Sequence, residues 1–149
     1  MRAIGLDVGE RRIGVAAGDT ESTVAVQVGA IDRTAVSDEI TEILALAAER
    51  DAGAIVVGLP LSMNGRVGVQ AQITQEFIDA LASRTELAIE TVDERLTSVE
   101  AERRMRERAP AGRGKRRAPA KGAIDAGAAV LILQAWLDGG AHRADRAGR

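Results

Sequence analysis

The sequence predicts an α/β fold: one mixed sheet in which three antiparallel strands are followed by two parallel additions, with helices on both faces. Three strand patterns, at 3–8, 13–18 and 24–31, are joined by connections too short for helices, which favours antiparallel hairpins. Helical and strand patterns then alternate, which is typical of parallel crossovers. The apolar run AIVVGLP at 54–60 is expected of a strand covered on both faces.

The remaining elements follow from the spacing of their apolar residues. A helix predicted over 37–50, with Ser37 as its expected N-cap, places four of them on one face: Ile40, Ile43, Leu44 and Ala47. A second predicted helix also has four apolar residues on one face: Ile73, Phe77, Ile78 and Leu81. LAIETVDE at 87–94 is the next strand. A capping box at Thr97 predicts another helix start, and Pro119 suits the first turn of the final helix.

Length and composition limit the class of protein. A chain of 149 residues with 46% apolar residues is expected to form one domain, which we place at 1–138, with a disordered tail at 139–149. The chain has no cysteine, which excludes disulfides and zinc sites of the cysteine type. No apolar run reaches the roughly 18 residues of a membrane span, and the N-terminus lacks a signal-peptide pattern. We therefore expect a cytoplasmic domain with no membrane partner.

The net charge of −2 conceals a strongly basic segment. Nine basic residues and one acidic residue lie between positions 103 and 121, a net charge of +8, so the rest of the chain carries −10. Such a run is often only a solvated stretch of chain. The alternative is an electrostatic binding surface for the phosphate backbone of a nucleic acid.

Three carboxylates from distant segments are expected to meet at one edge of the sheet. Asp7 interrupts an apolar strand, Glu94 ends the last strand, and Asp125 shares a helix face with apolar residues at i+3, i+4 and i+7. Crowded carboxylates repel each other unless a cation lies between them. With no cysteine, and one histidine far away at position 142, an all-oxygen site favours Mg²⁺ or Mn²⁺.

Each acid also has a purely structural explanation. Asp7 could form an Asx turn with the glycine two residues on. Glu94 or its neighbour Asp93 could pair with Arg95, and Asp125 could stabilise the dipole of the nearby helix start. The sequence leaves open whether Asp93 contributes to the site. All three explanations would have to hold at once to remove the predicted metal site.

Four blocks of the sequence resemble the YqgF family, whose members are described as Holliday-junction resolvases and as pre-16S rRNA nucleases. The resemblance extends over roughly residues 2–138 and is carried, in order, by GLDVGERRIGVAAGD, VVGLPLSMNGRVG, VDERLTS and KGAIDAGAAVLILQAWLD. The resemblance implies a ribonuclease H-like fold and metal-dependent cleavage of phosphodiester bonds. The acidic positions of the family fall on Asp7, Glu94 and Asp125, which are its catalytic and metal-binding residues.

The resemblance also implies a mechanism. Two divalent ions about 3.5–4 Å apart would activate water and stabilise the leaving oxygen. Asp7 would bridge them, while Glu94 and Asp125 would each hold mainly one. The candidate phosphate contacts are all basic and belong to the first turn, the end of the last strand, the basic segment and the start of the last helix: Arg11, Arg12, Arg95, Arg113, Lys115, Arg116, Arg117 and Lys121.

Several functions remain open at this stage. We favour maturation of the 5′ end of pre-16S rRNA, with the small-subunit precursor as partner and a monomer or weak homodimer as the active form. The alternatives are a Holliday-junction resolvase acting on four-way DNA and a ribosome-assembly factor that binds without cutting. The Asp-Val-Gly turn also resembles the phosphate loop of actin-like and sugar kinases, but those enzymes need two such domains.

Overall fold

The computed structural model describes residues 1–60, 68–94 and 121–139, and within the last range the side chains from 127 onward. The chain runs through five strands and three helices in this part of the molecule. In order they are β1 (Arg2–Val8), β2 (Arg12–Asp19), β3 (Ala25–Asp32), α1 (Val36–Glu49), β4 (Ala52–Leu59), α2 (Val69–Ala82), β5 (Ala88–Asp93) and α3 (Lys121–Gly139). No described helix has both the length and the apolar character that crossing a bilayer requires.

The five strands form one mixed sheet in the order β3-β2-β1-β4-β5. β1, β2 and β3 pair antiparallel, and β4 and then β5 add to β1 in parallel. This confirms the predicted sheet. The two crossovers that precede β4 and β5 follow from the parallel pairing, because parallel strands need long connections. The carboxyl ends of β1, β4 and β5 consequently lie at the same edge of the sheet.

Helices cover both faces, as predicted, because alternate residues of the strands point to opposite sides. On one face α1 and α2 pack against branched side chains of the strands, including Ile4, Leu6 and Ile55. On the other face α3 packs against a layer of smaller residues, including Ala3, Ala54 and Val56. The small residues let α3 approach the sheet closely.

Two predicted details of the helices are wrong. α1 begins at Val36 with Ala35 at the N-cap position, so Ser37 lies inside the first turn and does not cap the helix. Ala35 is still extended and the helix begins directly after it, so the predicted cap position falls two residues too late; the Glu39 Oε2 atom accepts the N–H of Thr34, before the helix, at 2.6 Å.

Ile73, predicted to be in the core, is 45% exposed. The buried side of α2 is centred on Thr74, Ile78 and Leu81, and Ile73 lies about 100° around the helix from Thr74. Phe77 and Ile78 are buried as predicted.

Several predictions concern residues outside the described ranges. They are the glycine-rich loop expected from LSMNGRVG, as far as residue 67, the helix starts expected at Thr97 and Pro119, and all but the first residue of the disordered tail expected at 139–149. The basic segment up to residue 120 also lies outside, together with Arg95. α3 itself continues to Gly139, one residue past the predicted end of the domain.

Candidate functional site

Asp7 is the one acidic residue of β1, and it lies one residue before the carboxyl end of that strand. Ala3 and Gly5 of β1 face α3, since Ala3 packs in the layer beneath that helix and Gly5 lies against its backbone. Strand alternation puts Asp7 on the same face. The carboxylate is half-buried. The strand thus presents a charged group to the α3 side at the sheet edge where β4 and β5 also end.

Glu94 follows β5 directly, and its carboxyl group hydrogen-bonds Asp7 across the intervening strand β4. Two strand spacings separate β1 from β5, about 9–10 Å, so the two side chains meet over β4. Gly58 of β4 leaves the necessary room: a Cβ built there would lie 2.8 Å from Glu94 Oε2. It would also lie 2.9 Å from Cγ1 of Ile132 on α3. Any larger residue at this position would displace the Glu94 carboxylate or the helix.

The Glu94 carboxyl group is strongly perturbed. Its pKa is raised from 4.5 to about 7, first because burial disfavours the charged form, then because of the negative charge of Asp7 and the hydrogen bond with it. The charge of Asp93 adds a smaller effect in the same direction. The Glu94 carboxyl group is therefore partly protonated near neutral pH, and its protonated form is favoured by the neighbouring Asp7.

The Asx-turn explanation for Asp7 does not match the turn that follows it. The N–H of Gly9, which an Asx turn from Asp7 would use, donates instead to the carbonyl of Arg12 at 2.9 Å. The backbone of the turn is thus closed without help from the Asp7 side chain. Asp7 is left to interact with Glu94.

The start of α3 approaches the same edge of the sheet. The carbonyl oxygen of Ala129 lies 3.3 Å from a Cβ built on Gly5, whereas Leu137 Cδ1 lies 3.1 Å from one built on Gly18, near the other end of β1. α3 and β1 therefore run in opposite directions. Position 125 is one helical turn before Ala129, about 5.4 Å farther toward the strand end that bears the carboxyl pair. Ala129 and Ile132, predicted to share the face of Asp125, are fully buried against the sheet.

The structure brings Asp7 and Glu94 together. For Asp125, the third predicted acid, it describes the position of the backbone only. Among the described side chains there is no group of three or more potential metal ligands. Asp125 and Lys121 lie on α3, but their side chains are outside the description. Of the predicted phosphate contacts, Arg11 is exposed, and Arg12 is half-buried with its Nε 3.7 Å from Asp32 Oδ1.

Gly58 was not among the predicted site residues, although the sequence contained a signal for it. A glycine at the end of an apolar, central strand often marks a place where another group approaches the backbone closely. The run AIVVGLP by itself predicts only a strand covered on both faces. Its actual neighbours are Glu94 and Ile132.

Glu94→Gln is expected to remove a pH dependence from the stability of the metal-free protein. Glu94 keeps its proton up to about pH 7 in the folded state but only to 4.5 when unfolded. The folded state therefore binds more protons in that window, and the free energy of unfolding falls as pH rises through it. With solvent screening of this half-buried group discounted, the loss is on the order of 1–2 kcal/mol. Urea denaturation in EDTA, across that pH window, measures it.

The matched control is Glu90→Gln, which changes an exposed carboxyl group of β5, four residues before Glu94. We expect wild type and Glu90→Gln to lose stability across the window, and Glu94→Gln to show a flatter profile and greater stability above it. Parallel profiles for all three proteins would show that Glu94 has no raised pKa in the folded state.

Comparison with known proteins assigns the chain to a family. The family model described as "RuvX: Holliday junction resolvase" matches residues 1–139. A relative from Crocosphaera subtropica, named "Putative pre-16S rRNA nuclease", is 43% identical over 138 residues, which are 93% of each chain. A relative of the same name from Chloroflexus aggregans is 46% identical over 135 residues, covering 91% of this chain and 92% of its own. The predicted resemblance to the YqgF family is confirmed.

Solved structures show the same fold at low sequence identity. Thermus thermophilus RuvC superposes with a TM-score of 0.59 at 12% identity, over 93% of this chain and 95% of that chain. The same protein in complex with Holliday junction substrate gives 0.57 at 12% identity, over 89% and 91%. The family model and the relatives show that the chain belongs to the RuvX (YqgF) family of nucleases, while the sheet order, the two helical layers and the solved structures show that it has the ribonuclease H-like fold of the RuvC resolvases.

Proposed function

We propose that this chain is a cytoplasmic, metal-dependent nuclease that hydrolyses phosphodiester bonds at the 5′ end of pre-16S rRNA. The observation that supports it most is the Asp7–Glu94 carboxyl pair over Gly58. A protein that only binds nucleic acid gains nothing from two mutually repelling carboxyl groups at a half-buried position. The names of its relatives, which cover nearly the whole chain, favour the rRNA substrate.

The carboxyl pair fits a divalent cation. Both groups offer hard oxygen ligands, and their mutual repulsion disappears when a cation binds between them. Cysteine is absent from the chain and its one histidine is at position 142, so the donor set is suited to Mg²⁺ or Mn²⁺. Asp7 and Glu94 would hold the metal, and we propose Asp125 as the third ligand because α3 runs toward this edge. When bound, the metal supplies Lewis acidity for activating water and stabilising the leaving oxygen.

The residues of the chain itself orient the substrate and manage protons. Glu94, with its pKa near 7, can hold a proton on its carboxyl oxygen at neutral pH and release it when a cation approaches. Arg11, exposed in the turn after β1, is available to contact backbone phosphates near this edge. The basic segment, which ends at Lys121, and Arg95 add positive charge that attracts further phosphates of the nucleic-acid backbone.

Recognition of single-stranded bases by stacking has little support. The chain has only two aromatic residues, Phe77 and Trp136, and both are buried, each 3% exposed. We therefore propose that the enzyme reads the phosphate backbone and the shape of its substrate. Because α3, in the part from residue 127 onward where its side chains are described, buries its most apolar side chains against the sheet, this part of the helix offers no apolar face for a large dimer interface, and we propose a monomer or weak dimer.

The proposed nuclease and a factor that only binds rRNA are expected to behave differently in cells when a metal ligand is removed. Depleting the protein should leave 16S rRNA with an extended 5′ end, and Asp125→Asn should reach normal protein levels without restoring that end. Removing one carboxylate ligand weakens metal binding but leaves the phosphate-binding surface intact. Primer extension across the 16S 5′ end measures the outcome.

The control is Asp138→Asn, the same substitution at the other end of α3, where the side chain is exposed and bonds Gln134. This variant should rescue the depletion fully. Normal rRNA ends in cells that contain only Asp125→Asn would show that binding alone suffices and that the proposed nuclease role is wrong.

A further inference from the structure

Arg33, the residue after β3, connects the turn that follows β1 to α1. Its Nη1 donates to the carbonyl of Gly9 at 2.7 Å, and its Nε donates to Glu39 Oε2 at 2.9 Å. Its backbone N–H donates to the carbonyl of Arg11 at 3.0 Å. Arg33 therefore holds two carbonyl groups of the turn at 9–12, which begins two residues after Asp7.

The partner of Arg33 is unusual because it is completely buried. Glu39 has no exposed surface, and its Oε1 has no hydrogen-bond partner among the described residues. The Arg33 side chain is 22% exposed, and its guanidinium carbon lies 5.8 Å from the centre of the Phe77 ring. A fully desolvated carboxylate gives little net stability to a fold and is retained more easily when it has a specific geometric role.

The geometry suggests what that role is. The planar guanidinium presents its nitrogens in a rigid fork, so the Glu39 carboxylate orients the group while another nitrogen reaches the Gly9 carbonyl. Glu39 is itself fixed in the first turns of α1 and bonded to the N–H of Thr34. The turn after β1 is thus tied to the body of the domain through a buried, charged linkage, and not only through its own short hydrogen bond.

We propose that Arg33 and Glu39 are positioning residues for phosphodiester cleavage: they hold the turn at 9–12, and with it the carboxyl end of β1, in the arrangement that the Asp7 site requires. This inference rests on the proposed nuclease function. Neither residue reaches the reacting atoms. Their effect is on the backbone beside Asp7, where displacements of about 1 Å lower rates as much as 100-fold.

The test uses one double variant and one conservative variant. Arg33→Met with Glu39→Gln removes both charges together, so that neither is left buried and unpaired, and the glutamine oxygen can still accept the Thr34 N–H. We expect kcat to fall about 10- to 100-fold with KM changed less than about 3-fold. Arg33→Lys keeps the positive charge but loses the fork, and its kcat should lie between that of wild type and that of the double variant.

Arg84→Met is the matched control. Arg84 also binds α1, through Ser37 and Thr41, but it makes no contact with the turn after β1. We expect its kcat to match wild type. An equal loss of kcat in Arg84→Met, or a folded double variant with wild-type kcat, would overturn the proposal.

Amide hydrogen exchange at Gly9 separates this proposal from the proposed function. The N–H of Gly9 closes the turn on Arg12, and we expect its protection to fall at least about 10-fold in Arg33→Lys while core strands stay protected. Unchanged protection overturns the positioning role whatever the activity. If wild type cleaves no nucleic acid, the proposed function fails, and the exchange result still decides whether Arg33 fixes the turn. If the double variant does not fold, Arg33→Lys provides both measurements.

Discussion

Asp7→Asn is expected to lower the rate of cleavage by at least about 10³-fold while nucleic-acid binding remains close to wild type. Asparagine keeps the size of the side chain but removes the charge that a divalent cation requires. The phosphate-binding surface is unchanged, so affinity should not fall. Single-turnover cleavage with labelled precursor RNA and Mn²⁺, beside a filter-binding titration in Ca²⁺, measures the two effects separately.

The same variant should be more stable than wild type when metal is absent. Losing the charge of Asp7 removes one cause of the raised pKa of Glu94, so Glu94 ionises at less cost in the folded protein. Asp19→Asn is the control: Asp19 lies at the opposite end of the sheet, where its carboxylate pairs with the N-terminal ammonium group at 3.5 Å, so this variant should cleave like wild type and gain no stability. Full cleavage activity in Asp7→Asn would exclude Asp7 as a metal ligand.

Neutralising four residues of the basic segment is expected to weaken binding and flatten its salt dependence. The variant carries glutamine at Arg113, Lys115, Arg116 and Arg117, which contribute half of the net +8 charge of that segment. Each phosphate contact releases counterions, so losing four should reduce the log–log slope of affinity against salt by about 3 for single-stranded RNA. Binding titrations at several salt concentrations measure the slope.

Arg2→Gln with Arg50→Gln is the control for that experiment. Both arginines are exposed and lie at the end of the sheet opposite Asp7. Their loss should change the slope little, which separates a local binding surface from an effect of overall charge. An unchanged slope in the quadruple variant would mean that the basic segment is a solvated stretch without a binding role.

The sheet and its helical layers were predictable because their signals are local. The change of apolar period from strands to helices marks each element, and short or long connections then decide antiparallel or parallel pairing. The position of Asp7 in an apolar strand and of Glu94 at a strand end was likewise readable. The C-terminal edge of parallel strands brings such residues together in any fold of this class.

The interactions that were missed all depend on tertiary contacts. Gly58 matters because Glu94 crosses over it: the glycine signals a close approach to the backbone, but no local pattern reveals which group approaches. Glu39 lies in the first turns of α1, where acidic residues usually favour the helix dipole, yet it is buried and paired with Arg33. Ser37 matches a helix cap by type, but Ala35 stands at the N-cap position and the helix begins before Ser37. Charged residues that become buried through distant partners lie beyond what periodicity and propensity can predict.

Cleavage of two substrates by the same protein preparation tests directly whether the chain is a metal-dependent nuclease of pre-16S rRNA. The purified chain, with Mg²⁺ or Mn²⁺, is given labelled pre-16S RNA that includes the 5′ leader and, separately, a labelled four-way DNA junction, while light scattering measures its mass. We expect a monomer or weak dimer that cuts the RNA when metal is present, cuts nothing in EDTA, and leaves the junction intact. Paired symmetric nicks in the junction by a stable dimer, with the RNA left uncut, would contradict it.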